Sequence, residues 1–305
     1  MSGPVSPADV DTQAPRTTTA VVEPVADAPP VEVVPARETT IGTVAVRRAL
    51  PRRARRTVGA WCFVDHFGPT DVNHPMDVAP HPHTGLQTVT WLLDGELLHR
   101  DSLGTEQLIT PGRLNLMTAG HGVAHSEEAP ERRAPSVHGV QLWVALPEAT
   151  RDGAAQFEHH EQLPELGLGP SAATVLVGTV GDVTSPARTD TPLVGADLRL
   201  HAGTTRVPVH PEHEHAVVVL DGAVGIGGDV VRPGALAYLG TGREEVVLSA
   251  TEPTRALLVG GEPFPDPVFM WWNFVGHSRA CIEQAQADWE SVYGPAPDMP
   301  ADQQP

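Results

Sequence analysis

"WLLDGELLHRDSLGTEQLITPGRLNLMTAG", residues 91–120, returns in altered form as "VVLDGAVGIGGDVVRPGALAYLGTG", residues 218–242. Each copy closes an apolar run on Leu-Asp-Gly, at Gly95 and Gly222, and opens a later run on Pro-Gly, at Gly112 and Gly234. The two turns are 17 residues apart in the first copy and 12 in the second, which places the difference in a loop. Matching turn signals at fixed points around short apolar runs indicate a duplicated module. Runs such as "QTVTWLLDG" and "VHGVQLWVALP", bounded by Gly and Pro, read as strands.

Outward from this repeat, the chain divides into two all-β modules over 39–152 and 153–276, with "EHHEQLPELGLGPSAATV" as connection. Residues 1–38 are rich in Pro, Ala, Val, Thr and acidic groups without a period, which predicts a disordered tail. After the second module, Ile282, Ala285, Trp289 and Tyr293 recur near helical spacing. Ser278 stands at the N-cap and Gly294 past the end, so a helix is expected over 277–293 with a short tail over 294–305. Glu283 and Glu290 fall on its surface.

Composition narrows the function. With 29 Gly, 31 Pro and 5% aromatics in 305 residues, turns and short strands dominate. A net charge of −18 argues against direct binding of nucleic acid or anionic membranes. The basic run "RRALPRRARR" at 47–56 reads as a solvated, partly paired face. Only Cys62 and Cys281 are present, no signal-peptide pattern opens the chain, and no apolar stretch is long enough to span a bilayer. A soluble cytoplasmic protein is expected.

The chemistry sits in two pairs. His81 and His83 are two apart, so on an extended strand they project from the same face. His125 and Glu127 repeat that spacing beyond the Pro-Gly turn, 42 residues after His83, and on neighbouring strands the two pairs converge. Three imidazoles and a carboxylate suit Fe(II) and tolerate Mn, Ni, Cu or Zn, one ion per chain, while the lack of thiolates argues against a closed structural zinc site. Four protein ligands leave two positions of a six-coordinate ion open to small molecules.

The segments "VRRALPRRARRTVGAWCFVDHFGP", "HPHTGLQTVTWLLDGELLHRDSLG", "PGRLNLMTAGHGVAHSEE", "HGVQLWVALP" and "GEPFPDPVFMWWNFVG" resemble the pirin family of the cupin superfamily, over about 40–276. The resemblance implies a bicupin: two antiparallel jelly-roll β-barrels facing each other, a mononuclear iron in the first, and a terminal helix. Carried across residue by residue, its ligands fall on His81, His83, His125 and Glu127. Many cupins place a Glu ligand where this chain has Gln87; the resemblance implies that the position is not a ligand in pirins.

In the second module, counting back from Gly222 as from Gly95 sets His210 against His83 and Pro208 against His81. Counting forward from Gly234 as from Gly112 sets Val247 and Ser249 against His125 and Glu127. The second module has therefore lost the metal set. His210, His213 and His215 in "HPEHEH" read as a solvated turn, His99 and His121 as supporting or packing residues, and Trp271 and Trp272 as packing.

Two functions remain. The resemblance implies quercetin 2,3-dioxygenase activity on a flavonol and dioxygen, with Glu127 as general base and an apolar cavity for which Leu92, Leu114, Leu116, Val123 and Leu142 are candidates. As the alternative it allows a metal- or redox-responsive regulator that binds a protein partner without turnover, as a transcriptional co-regulator or a modulator of a metabolic enzyme.

Overall fold

The computed structural model describes residues 30–41, 44–70, 76–130 and 136–293. In chain order the strands are β1 (Glu32–Pro35), β2 (Arg37–Ile41), β3 (Val44–Leu50), β4 (Trp61–Phe67), β5 (Val78–His83), β6 (Leu86–Asp94), β7 (Leu97–Asp101), β8 (Glu106–Ile109), β9 (Leu114–Thr118), β10 (Val123–Glu128), β11 (His138–Ala145) and β12 (Gln156–His160). They continue with β13 (Glu165–Leu168), β14 (Ser171–Val180), β15 (Val183–Thr184), β16 (Leu193–Leu200), β17 (Gly203–Pro208), β18 (Glu214–Asp221), β19 (Val224–Ile226), β20 (Asp229–Val231), β21 (Ala235–Gly240), β22 (Glu245–Ala250) and β23 (Thr254–Gly261). A ribbon of β24 (Phe269–Trp271) and β25 (Phe274–Gly276) leads into helix α1 (Arg279–Tyr293).

Each barrel joins a large sheet to a small one. The first has the order β12-β9-β6-β11-β4-β3-β2 facing β5-β10-β7-β8; the second has β1-β21-β18-β23-β16-β14-β13 facing β17-β22-β19-β20. All the ladders are antiparallel. This is the expected bicupin with a C-terminal helix.

Two strands depart from the sequence division. Glu32–Pro35, expected in the tail, pairs with β21 of the second barrel, and β2 then enters the first. An edge strand of four residues carries too little periodicity to be read from sequence. Gln156–His160, assigned to the second module, instead completes the first barrel on β9. Residues 1–29 and 294–305, which include Gly294, lie outside the described residues.

The large sheets pack against each other, and strand alternation sorts their side chains. On β6, Val89 and Trp91 join the apolar layer between the barrels, whereas Thr90 faces Gln141 and Glu127 in the first barrel. On β18, Ala216, Val218 and Leu220 enter the same layer while Val217 and Val219 fill the second barrel. The two interiors differ in kind. The second is packed with Val, Leu, Ala and Ile; the first buries Asp65, His83, Thr90, His99, His125 and Glu127.

Polar contacts fix the seam between barrels. The Trp61 indole donates to Val194 O at 2.9 Å and Gly260 O at 3.1 Å, and Gly195 is required there, since a Cβ would lie 2.8 Å from the Trp61 ring. Trp91 donates to Asp197, which also pairs with Arg255. The basic run is not simply a solvated face. Arg48 forms a buried fork with Asp65 at 2.8 and 2.7 Å and lies over the Phe63 ring, and Arg55 lies over Tyr238 of the second barrel. Seventeen residues separate Arg48 from Asp65, and only the β3–β4 pairing brings them together.

Replacing Trp61 with Ala removes a fully buried side chain and leaves two carbonyls without their donor. We expect a loss of about 3–5 kcal/mol in denaturant unfolding; a loss below about 1 kcal/mol would show that Trp61 does not fix the seam.

Candidate metal centre

β5 and β10 pair antiparallel with His125 opposite His81 and Val123 opposite His83, and β7 lies on the other side of β10 with His99 opposite Glu127 and Asp101 opposite His125. This register gathers the histidines. One nitrogen from each of His81, His83 and His125 lies within 4.8 Å of the others, and a second group with the same spacing joins His99, His125 and Glu127. His125 belongs to both. Between His125 and Glu127 the β5–β10 register slips by one residue, the extra residue lying on β5, while the β10–β7 register stays regular and sets Glu127 opposite His99.

The hydrogen bonds around the rings decide which nitrogens carry protons. His99 Nε2 lies 3.2 Å from the Asp101 carboxylate, an obligate acceptor, so it carries a proton and leaves His99 Nδ1 as an acceptor. His125 Nδ1, 3.3 Å away, donates to it. The opposite nitrogen of His125 is then a bare lone pair. His81 Nδ1 donates to the Ala79 carbonyl at 2.8 Å, which bares its Nε2 as well. His83 Nε2 faces His125 Nε2 at 3.1 Å, while its Nδ1 has no hydrogen-bond partner and lies toward the Asn273 backbone. With the His83 proton on that outer nitrogen, all three rings turn lone pairs toward one point, as a cation requires.

Burial keeps these rings neutral. Desolvation holds His83 and His125 well below the usual histidine range, with mutual repulsion among the rings adding to it. His81 and His99 are lowered by the same cause. Burial pushes the Glu127 carboxyl the other way, up to about 7, against the hydrogen bond from Thr90. The Thr90 hydroxyl lies 3.1 Å from Glu127 Oε1 and 2.9 Å from the Gln141 side-chain oxygen position. Because Thr90 has one proton, all three groups are satisfied when the Gln141 amide is turned to donate to Thr90 and Thr90 donates to Glu127. The donor set fits a divalent transition metal: neutral imidazoles, one carboxylate and no thiolate in either group.

A cavity of about 550 Å³ opens beside His83, between the barrel rim and α1. The chain returns here from the second barrel. Val275 N donates to Thr84 O at 3.0 Å, and Gly85 sits so close under the ribbon that a Cβ would lie 2.1 Å from Val275 O. Ser278 accepts from Cys281 N at 3.2 Å as the expected cap, and Trp289 meets Trp272 edge to face. Of the apolar residues expected around the cavity, only Val123 lines it. Leu114, Leu116 and Leu142 face the inter-barrel layer and Leu92 a separate cluster.

Gln87 stands apart from the rings and donates to Thr118 at 3.0 Å. His121 reaches the Gly153 carbonyl at the rim. Asp101, Thr90 and Gln141 were not singled out from sequence, since their roles follow from cross-strand register. In the second barrel, β22 begins eleven residues after Gly234, as β10 does after Gly112, and Glu245 there pairs with Pro208 where Val123 pairs with His83. Pro208 and Arg206 therefore replace His83 and His81. Counting back from Gly222 had matched His210 to His83 because the β17–β18 link holds two extra residues. His210 is exposed, but His215 is buried with both ring nitrogens unpartnered, so "HPEHEH" is not wholly a solvated turn.

Residues 43–144 match the pirin family model and 195–293 the model of the pirin C-terminal cupin domain. A Pseudomonas aeruginosa protein named "Putative quercetin 2,3-dioxygenase" is 47% identical over 253 residues, covering 82% of this chain and 80% of that one. A pirin-like protein of Caulobacter vibrioides is 37% identical over 273 residues, covering 87% and 94%. The crystal structure of a quercetin 2,3-dioxygenase from Acinetobacter baumannii superposes with a TM-score of 0.84 at 40% identity, covering 89% of this chain and 96% of that one.

Two outcomes follow from the proton arrangement. Asp101→Ala frees the His99–His125 chain without touching a ring, and metal affinity should fall about 10–100-fold in chelator competition; unchanged affinity would refute the arrangement. A metal bound through Glu127 would displace its proton, so affinity should then rise with pH up to about 7 and level, a rise that Glu127→Gln removes.

Proposed function

The chain belongs to the pirin family, and from that premise we propose that it is a flavonol 2,3-dioxygenase with one metal ion, Fe(II), held by His81, His83, His125 and Glu127. The observation that carries this reading is the desolvated three-imidazole group, its lone pairs turned inward beside a cavity of about 550 Å³. Similarity to proteins named for quercetin 2,3-dioxygenation supports the choice of reaction.

The metal would supply Lewis acidity, lowering the pKa of a substrate hydroxyl, and open positions for substrate and dioxygen. The chain supplies the rest. Glu127 is the proton acceptor: Thr90 occupies Oε1, and Oε2, weakly held by the metal, would detach to take the hydroxyl proton. Val123, Phe274 and Trp289 line the cavity and offer apolar surface to an aromatic ring system while keeping water off the rings. The Asp101–His99–His125 chain holds one imidazole in the tautomer the site needs.

No helix among the described residues is long and apolar enough to cross a membrane. The test is an aerobic assay of Fe(II)-loaded protein with quercetin. We expect flavonol loss matched by oxygen uptake, falling about 100-fold or more in Glu127→Ala. Quercetin binding without turnover, or a cellular protein partner that follows the iron's oxidation state, would replace this reading with the regulatory one.

A further inference from the structure

The cavity beside His83 contains a cation for which the reaction above has no use. Arg151 lines it, with a side chain only 10% exposed, and among the described residues its guanidinium has one hydrogen bond, from NH1 to Asp152 Oδ1 at 2.8 Å. Asp152 itself is 71% exposed and largely solvated. The Arg151 Nε is buried without a partner. A guanidinium carries five donors, and burying them unmatched is costly unless an acceptor arrives.

Its position is built into the fold. Thr150 N and Arg151 N both return to Pro147 O at 3.0 Å, closing a tight turn after β11. From there NH2 lies between the rim glycines, 3.6 Å from where a Cβ of Gly85 would stand and 3.7 Å from that of Gly276. With NH1 on Asp152, Nε and NH2 form the free side of the fork, the geometry that matches a planar oxyanion with two oxygens. Thr84, next in sequence to His83, adds a second buried polar group without a partner, its hydroxyl, and Phe274 and Trp289 also line the cavity and supply aromatic surface. The acidic groups of the cavity, Asp152 and Asp288, are exposed, so the buried part of the wall is positive.

We propose that this cavity takes an aromatic carboxylate, its carboxylate held by the Arg151 fork and Thr84 and its ring against Phe274 and Trp289. An aromatic acid is then preferred over an uncharged flavonol, which fills the same cavity without using its strongest donor. This rests on reading the cavity as the substrate cavity of the metal centre. Arg151 acts here as a specificity residue.

The test uses metal-free full-length protein, so that it stands whether or not the dioxygenase reading does. Binding of 1-naphthoate and of the isosteric, uncharged 1-naphthamide is followed by calorimetry and by tryptophan fluorescence. We expect naphthoate to bind about tenfold or more tightly than naphthamide. Arg151→Gln should abolish that preference while leaving naphthamide affinity unchanged, and Thr84→Val should reduce it. Equal affinities in the wild type, no binding of either probe, or a preference that survives Arg151→Gln would overturn the proposal. The wild-type comparison decides even if the Arg151 variant fails to fold. A purely structural Arg151 would change both affinities alike.

Discussion

Two imidazole nitrogens face each other at 3.1 Å in the first barrel, both rings buried, with the half-buried third ring of His81 inside the same 4.8 Å circle. Neutral rings in that arrangement turn lone pair against lone pair unless a proton or a cation lies between them. Burial suppresses extra protons, as the lowered pKa of each ring records, so the site is biased toward a metal. Much of the first barrel follows from keeping that bias. Asp101 and His99 fix one tautomer, the Ala79 carbonyl fixes another, and Thr90 steadies the carboxylate.

The second barrel shows what the same frame becomes without that demand. Strands β10 and β22 begin and end at corresponding places after the Pro-Gly turn, yet Arg206, Pro208, Val247 and Ser249 stand where the first barrel has His81, His83, His125 and Glu127. Thr90, which holds Glu127, is matched by Val217, five residues before the equivalent turn glycine, and the interior is closed by apolar packing. A solid barrel serves a different end. Its large sheet gives the first barrel a dry partner surface, tied by the Trp61 indole, and its C-terminal ribbon and helix return to wall the cavity beside His83.

The parts legible in the sequence were those with a short repeat. Leu-Asp-Gly and Pro-Gly turns marked the duplication, i, i+2 spacing put His81 with His83 and His125 with Glu127, and helical spacing with Ser278 located α1. What escaped depends on which strand lies beside which. Asp101 is meaningful only because β7 pairs with β10, and Arg151 only because the chain folds back over Gly85 and Gly276. Neither neighbour can be inferred from local pattern. The crossing of Glu32–Pro35 to the second barrel was hidden for the same reason, and the match of His210 to His83 failed at a two-residue insertion in a link whose length no periodicity controls.

Anomalous diffraction at the iron edge, on crystals grown with Fe(II) under anaerobic conditions, addresses the central claim most directly. The account predicts one peak per chain, inside the first barrel, within bonding distance of His81, His83 and His125 nitrogens and a Glu127 oxygen. A peak in the second barrel, or one in the first bound by His99 with His81 and His83 left free, would contradict it.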